Sequence, residues 1–228
     1  MNQNAPAWYN YLSGFFYGIF MSKIKQHWEN VYRNQSPLEM SWYQREPVLY
    51  LSLIANASLA PHAAIIDVGG GASVLVDRLC DAAYANISVL DISGSALAHA
   101  KARLMHQSNQ VHWLEQDITR FKPPRRYALW HDRAVFHFLT ERVDRERYID
   151  VLRQALEPRG HIIIMTFALG GPGKCSGLDI IQYDWDKLSS ELGTGFKLIE
   201  TGHEVHHKPG GGQQKFAYFH FRAPAESV

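Results

Sequence analysis

Residues 65–79 read IIDVGGGASVLVDRL. An apolar run of strand length meets three glycines, and the apolar spacing beyond them is helical. A strand, a glycine turn and a helix start often cradle a phosphate, because free N–H groups at a helix start attract anions. Asp67 complicates that reading. It stands two residues before Gly69, where a carboxylate repels a phosphate.

Outward from this stretch, strands and helices alternate. Strand patterns occupy 64–68, 86–91, 111–115, 127–131 and 161–167. Helical patterns fall between them, at about 73–83, 96–104 and 145–156, and again at about 185–192. Such alternation predicts a parallel sheet with helices on both faces. The last two strand patterns, 196–205 and 215–222, are joined by KPGGGQQ with no room for a crossover helix. They form an antiparallel hairpin. The expected fold is α/β, a Rossmann-like doubly wound sheet of seven strands with a C-terminal hairpin. Residues 1–58 form an N-terminal helical cap or extension, and residues 59–228 form the core of one structural domain.

Length and composition agree with this. The chain has 228 residues, with 46% apolar and 20% charged content, which suits one globular domain. The net charge of +1 gives no basic footprint for nucleic acid. Cys80 and Cys175 lie far apart without metal-ligand spacing and read as reduced thiols, placing the protein in the cytoplasm. Residues 7–21 are aromatic and uncharged. They are too short to span a bilayer and lack a signal-peptide pattern. They read as a helix packed on the domain or on a second subunit. Surface contact with a membrane is the weaker alternative.

In a doubly wound sheet the ligand lies beyond the carboxyl ends of the strands. Gly69, Gly70 and Gly71 lie there, and so does Asp91, which ends the second strand. Asp91 follows Gly69 at the spacing at which an acid reaches a ribose. An adenosine-containing ligand follows. A dinucleotide favours a third glycine and an apolar residue at position 67. This chain has Ser73 and Asp67. S-adenosylmethionine has no phosphate and carries a sulfonium and an ammonium, which suit Asp67.

The motifs resemble those of class I S-adenosylmethionine-dependent methyltransferases over roughly residues 60–170. IIDVGGGAS resembles the first motif, with Ser73 as a departure. VLDISGSALAHAKARL resembles the second, which implies that Asp91 holds the ribose and that Ile92 lies beside it. LEQDITRF resembles the third. It implies that Asp117 accepts from the adenine amino group and that Ile118 packs on the ring. LWHDRAVFHFL resembles the fourth, lining the methyl-donor pocket, and LEPRGHIIIMTF resembles the turn into the fifth strand. Residues 27–47 resemble the N-terminal cap of a bacterial subgroup of small methyltransferases. There Trp28, Tyr32, Trp42 and Tyr43 would stack on the donor or exclude water. The WHDRA stretch is faintly similar to one in thiopurine methyltransferases and to others in protein-lysine methyltransferases.

Methyl transfer needs orientation and exclusion of water, and a general base is optional. His131, Asp132 and Arg133 are the candidates beside the transferred methyl group: His131 as a donor-pocket contact, Asp132 and Arg133 as orienting groups. Their alternative is pairing with helix ends. Tyr43, Phe136, His137 and Cys175 are candidates for the acceptor pocket, with Phe136 and Phe138 equally suited to the core and His137 a possible base. No metal site is expected. His206 and His207 face opposite sides of a strand. Tyr183 and Lys187 match a dehydrogenase pattern by chance, since the upstream serine is missing. The expected activity is methyl transfer from S-adenosylmethionine, yielding S-adenosylhomocysteine, to a small acceptor with sulfur, nitrogen or a similar nucleophile. A protein-lysine acceptor is the alternative within the class. An NAD(P)-dependent oxidoreductase and a non-catalytic binding protein of the same fold are the alternatives outside it. The oligomeric state is left open.

Overall fold

The structure is a computed structural model and is described for residues 23–225. The aromatic segment 7–21 lies outside the described residues. Seven strands form one sheet in the order β3-β2-β1-β4-β5-β9-β8. They are β1 (Ile65–Val68), β2 (Ile87–Asp91), β3 (Val111–Glu115), β4 (Tyr127–Arg133), β5 (Leu156–Phe167), β8 (Lys197–His207) and β9 (Gln213–Arg222). The first five are parallel, and β9 runs antiparallel between β5 and β8. The order reverses at β1, so the carboxyl ends of β1 and β4 open a crevice.

Both faces of the sheet are covered. One carries α5 (Arg142–Ala155) and α6 (Trp185–Leu192), packed through Trp130, Tyr148, Leu152, Phe219 and Phe221. The other carries α2 (Val48–Asn56), α3 (Leu75–Asp81) and α4 (Gly94–Leu104), packed through Tyr50, Leu53, Ile54, Leu79 and Leu97. Both faces being covered explains why β1 and β2 are buried at every position and are mostly apolar rather than alternating. Each large apolar side chain buried this way contributes roughly 1.5–3 kcal/mol.

Several boundaries differ from expectation. Helix α5 starts at Arg142, not Arg145, because its polar first turn gives no apolar periodicity. Strand β4 runs two residues past His131. The EPRG turn before β5 is absorbed into that strand as an irregularity: Tyr127 pairs with Leu156, and Leu129 with His161. Within it Arg159 takes a positive φ of 60° and its N–H donates to Pro224 O. The glycine loop after β5 contains a small hairpin of β6 (Lys174–Cys175) and β7 (Leu178–Asp179).

The segment before the core forms α1 (residues 23–34) and an irregular stretch leading to α2. Glu29 of α1 accepts from Ser95 N and Ser95 Oγ, tying α1 to the first turn of α4. Lys25 pairs with Glu115 at the end of β3. Trp28 and Tyr32 of α1 pack with Trp42 and Met40. Helix α1 therefore lies against the carboxyl edge of the sheet. Helix α2 belongs to the packed face below it. Among the described residues no helix is long and apolar enough to cross a membrane.

Candidate active site

A cavity of about 360 Å³ opens at the carboxyl ends of the strands. Its floor comes from the turn after β1. Gly69 takes φ 67°, and a Cβ there would meet Val135 Cγ2 at 2.0 Å. Only glycine allows this close approach. Gly70 lines the cavity. Gly71 does not; it sits against Asp91 Oδ2 and the Tyr32 hydroxyl, so its place is behind the wall.

Three of the carboxylates lining this cavity come from the carboxyl ends of β1, β2 and β3. Asp67 of β1 accepts from His131 Nδ1 of β4 at 2.7 Å, and Asp67 Oδ2 is buried without a partner. Asp91 ends β2, and its Oδ1 accepts from Ser93 N at 2.8 Å. Burial pushes the Asp91 carboxyl up to about 7, with the charges of Asp67 and Glu29 acting in the same direction. Asp117 follows β3. Its Oδ1 accepts from Thr119 N and Thr119 Oγ1, and its Oδ2 is buried without a partner. Ile92 and Ile118 line the wall beside Asp91 and Asp117.

The roof is aromatic. Trp28 meets Trp42 edge-on at 5.9 Å and Phe138 at 5.2 Å, and Tyr32 meets Trp42 at 6.4 Å. Tyr43, His137, Phe167, Cys175, Gln214 and Phe216 line the cavity further toward β9. His137 stacks on Phe167 at 5.0 Å, and both its ring nitrogens are buried without partners. Burial, aided by the Arg133 charge, pushes it down to about 3. It is therefore neutral near pH 7 and a weak base. Burial raises the Cys175 thiol, so it is not poised as a thiolate.

The expected trio at the end of β4 divides by strand alternation. His131 and Arg133 face the cavity. Asp132, expected as an orienting group, points to the opposite face. There it accepts from Tyr148 Oη at 2.6 Å and from Val135 N at 2.8 Å. It holds the turn in which Ala134 takes a φ of 70°. Phe136, a candidate for the acceptor pocket, is buried in the core between Tyr148 and Tyr183. The cavity also uses residues that sequence reading passed over, Gln214 among them. The alternation of β9 puts Gln214 on the same face as Phe216, and that was the available signal.

The chance pattern at Tyr183 and Lys187 lies away from the cavity: Lys187 sits over the Tyr183 ring and donates to Gln182 O. His206 is buried and bonds Ser41 O, while His207 is exposed. Among the described residues no three His, Cys, Asp or Glu side chains gather as a metal site.

Residues 66–162 match the family model described as a methyltransferase domain. A search of curated proteins gave no match. Many solved structures share the fold. One was described for the conversion of a disulfide bond into a thioacetal group during echinomycin biosynthesis. It has a TM-score of 0.69 at 16% identity, covering 90% of this chain and 93% of that one. The N-methyltransferase NodS from Bradyrhizobium japonicum, in complex with S-adenosylhomocysteine, has a TM-score of 0.65 at 17% identity, covering 88% and 98%. The glycopeptide N-methyltransferase MtfA, complexed with S-adenosylmethionine, has a TM-score of 0.57 at 15% identity, covering 76% and 86%. Residues 66–162 thus match a methyltransferase domain, and the chain shares its fold with S-adenosylmethionine-dependent methyltransferases.

Proposed function

We propose that this cavity binds S-adenosylmethionine and transfers its methyl group to a small acceptor bearing sulfur, nitrogen or a similar nucleophile. One observation carries the reading. Asp67, Asp91 and Asp117 converge on a single cavity, and Asp67 and Asp117 each keep one buried oxygen without a partner. Buried carboxylate oxygens of this kind call for donors or cations. In this proposal Asp67 takes the ammonium end, Asp91 the ribose hydroxyls and Asp117 the adenine amino group. Ile92 and Ile118 pack beside the nucleoside, and Gly69 and Gly70 admit the backbone close to it.

The bound sulfonium supplies an electrophilic methyl group for in-line displacement. The chain supplies orientation and dryness. Asp67 fixes His131, which lines the cavity and keeps a buried Nε2 without a partner. Trp28, Tyr32, Trp42 and Phe138 keep water from the reacting atoms, with α1 and the stretch that follows it to position 47 acting as a cap on the core. Tyr43, His137 and Cys175 border the acceptor. Neutral His137 can accept a proton only weakly, which suits an acceptor that arrives already deprotonated or uncharged. A cavity of about 360 Å³ suits a small ligand. A cytoplasmic location is part of the proposal, supported by two free cysteines.

Calorimetric titration with S-adenosylmethionine, S-adenosylhomocysteine and NADH tests the cofactor. Binding of NADH alone would overturn the proposal. A screen of thiols, amines and lysine-containing peptides with labelled donor then tests the acceptor. Labelling of peptides but of no small molecule would replace the small acceptor with a protein lysine.

A further inference from the structure

We propose that Arg133 recognises a carboxylate on the methyl acceptor. The inference rests on the methyltransferase reading and narrows its substrate class. Arg133 ends β4 and faces the cavity on the same side as His131. Its Nε donates to Tyr50 Oη at 3.0 Å, and its Nη1 donates to Trp42 O at 2.9 Å. The guanidinium also lies 5.7 Å from the ring centres of both Tyr50 and Phe216. Two hydrogen bonds and two ring faces thus fix its plane. Its remaining nitrogen, Nη2, is buried without a partner.

Among the described residues no carboxylate forms an ion pair with Arg133. Glu204 belongs to the same network, but it is reached through the Tyr50 hydroxyl at 3.2 Å and accepts from Gln44 Nε2 at 2.9 Å. A guanidinium keeps its charge at any ordinary pH, and a buried cation without a counter-ion is unfavourable. Its planar fork matches a carboxylate. Position indicates the source. Strand order puts β4 beside β5, on the far side of β1 from β2 and β3, where Asp91 and Asp117 stand. Arg133 lies against Phe216 of β9, away from the proposed nucleoside site. Gln214, also on β9, places a buried side-chain oxygen without a partner on the cavity wall. An acceptor with a carboxylate for Arg133 and a donor for Gln214 fits this side. The amino-acid tail of the methyl donor also carries a carboxylate and is the other source to separate.

The test uses the full chain saturated with S-adenosylhomocysteine. Calorimetry compares benzoate, 3-phenylpropanoate and indole-3-acetate with their primary amides. At least one carboxylate is expected to bind about tenfold or more tightly than its amide, the size of one charge-assisted hydrogen bond. Arg133→Gln should remove that preference, and Arg133→Lys should keep part of it. No preference in the native protein overturns the proposal, whether or not the variants fold. An unchanged preference in folded Arg133→Gln overturns it too. A third arm compares S-adenosylhomocysteine with 5′-methylthioadenosine, which lacks the tail. If Arg133→Gln weakens only the former, the guanidinium holds the donor, and the acceptor assignment fails. If the native protein binds neither nucleoside, the underlying cofactor reading fails, and this proposal with it.

Discussion

His131 Nδ1 donates to Asp67 Oδ1 at 2.7 Å, between side chains no more than 3% exposed. The two residues are direct register partners on β1 and β4. A carboxylate only accepts, so Nδ1 carries the proton of this bond, and His131 lines the cavity. Each group uses one polar atom to fix the other. Asp67 Oδ2 and His131 Nε2 are left buried and without partners. A site built to bind a cation can keep such atoms ready without rearranging on binding.

Asp67→Asn keeps the shape and removes the charge. Affinity for S-adenosylmethionine is expected to fall about 10–100-fold, the loss of a charged hydrogen bond worth roughly 1.5–3 kcal/mol. Affinity for 5′-methylthioadenosine should hold, because it lacks the ammonium. Calorimetry with both ligands decides. Equal losses would remove Asp67 from the tail.

Asp91 makes binding and stability respond to pH in opposite directions. Burial lifts its carboxyl from 3.8 to about 7 in the fold. The folded value lies above the unfolded one, so the fold favours the neutral acid. That stabilisation is complete below about 3.8 and is lost as pH rises through about 7. Ribose hydroxyls donate best to the ionised form. Cofactor affinity should therefore rise as pH climbs through about 7, with a proton released on binding below it. Melting curves of the free protein and calorimetry in buffers of different ionisation enthalpy read the two trends. Asp91→Asn should flatten both. A pH-independent affinity in the native chain would contradict the assignment.

The sheet was legible because buried parallel strands are nearly continuous apolar runs and the glycine turn marks the first crossover. Asp67, Asp91 and Asp117 were legible for a related reason: each sits at or just beyond a strand whose position the pattern fixes. The end of β4 was not. With the strand ending at His131, Asp132 and Arg133 both fall in a loop and look equivalent. Two more strand residues put them on opposite faces, one bonded to Tyr148 and one in the cavity. Phe136 was ambiguous because an aromatic after a strand serves a core or a pocket equally well. Its partners, Tyr148 and Tyr183, come from distant segments. Gln214 escaped notice because polar residues after a glycine loop ordinarily face solvent.

Asp132→Ala is expected to act on stability. It leaves Tyr148 Oη and Val135 N without their acceptor, and it loosens the turn that holds Ala134 at positive φ. A loss of about 1–3 kcal/mol follows from buried polar groups left unpaired. Urea denaturation measures it. Cofactor affinity should change much less than in Asp67→Asn. The reverse ranking would return Asp132 to the binding site.

Gly70→Ala tests how tightly the floor is set. A Cβ at Gly70 would lie 2.5 Å from Asp67 Oδ2 and 2.7 Å from Val89 Cγ1. Val89 is fully buried in β2 and has no room to withdraw. Asp67 can move only by giving up its bond to His131. The substitution is therefore expected to displace the carboxylate and lower S-adenosylmethionine affinity by about tenfold or more, on the scale of one lost charged hydrogen bond. Gly210→Ala serves as the control, since nothing lies within 4 Å of its added Cβ. Calorimetry on both variants, with melting curves to confirm folding, gives the answer. A folded Gly70→Ala protein with native affinity would show that the Asp67 carboxylate is not held where the cofactor needs it.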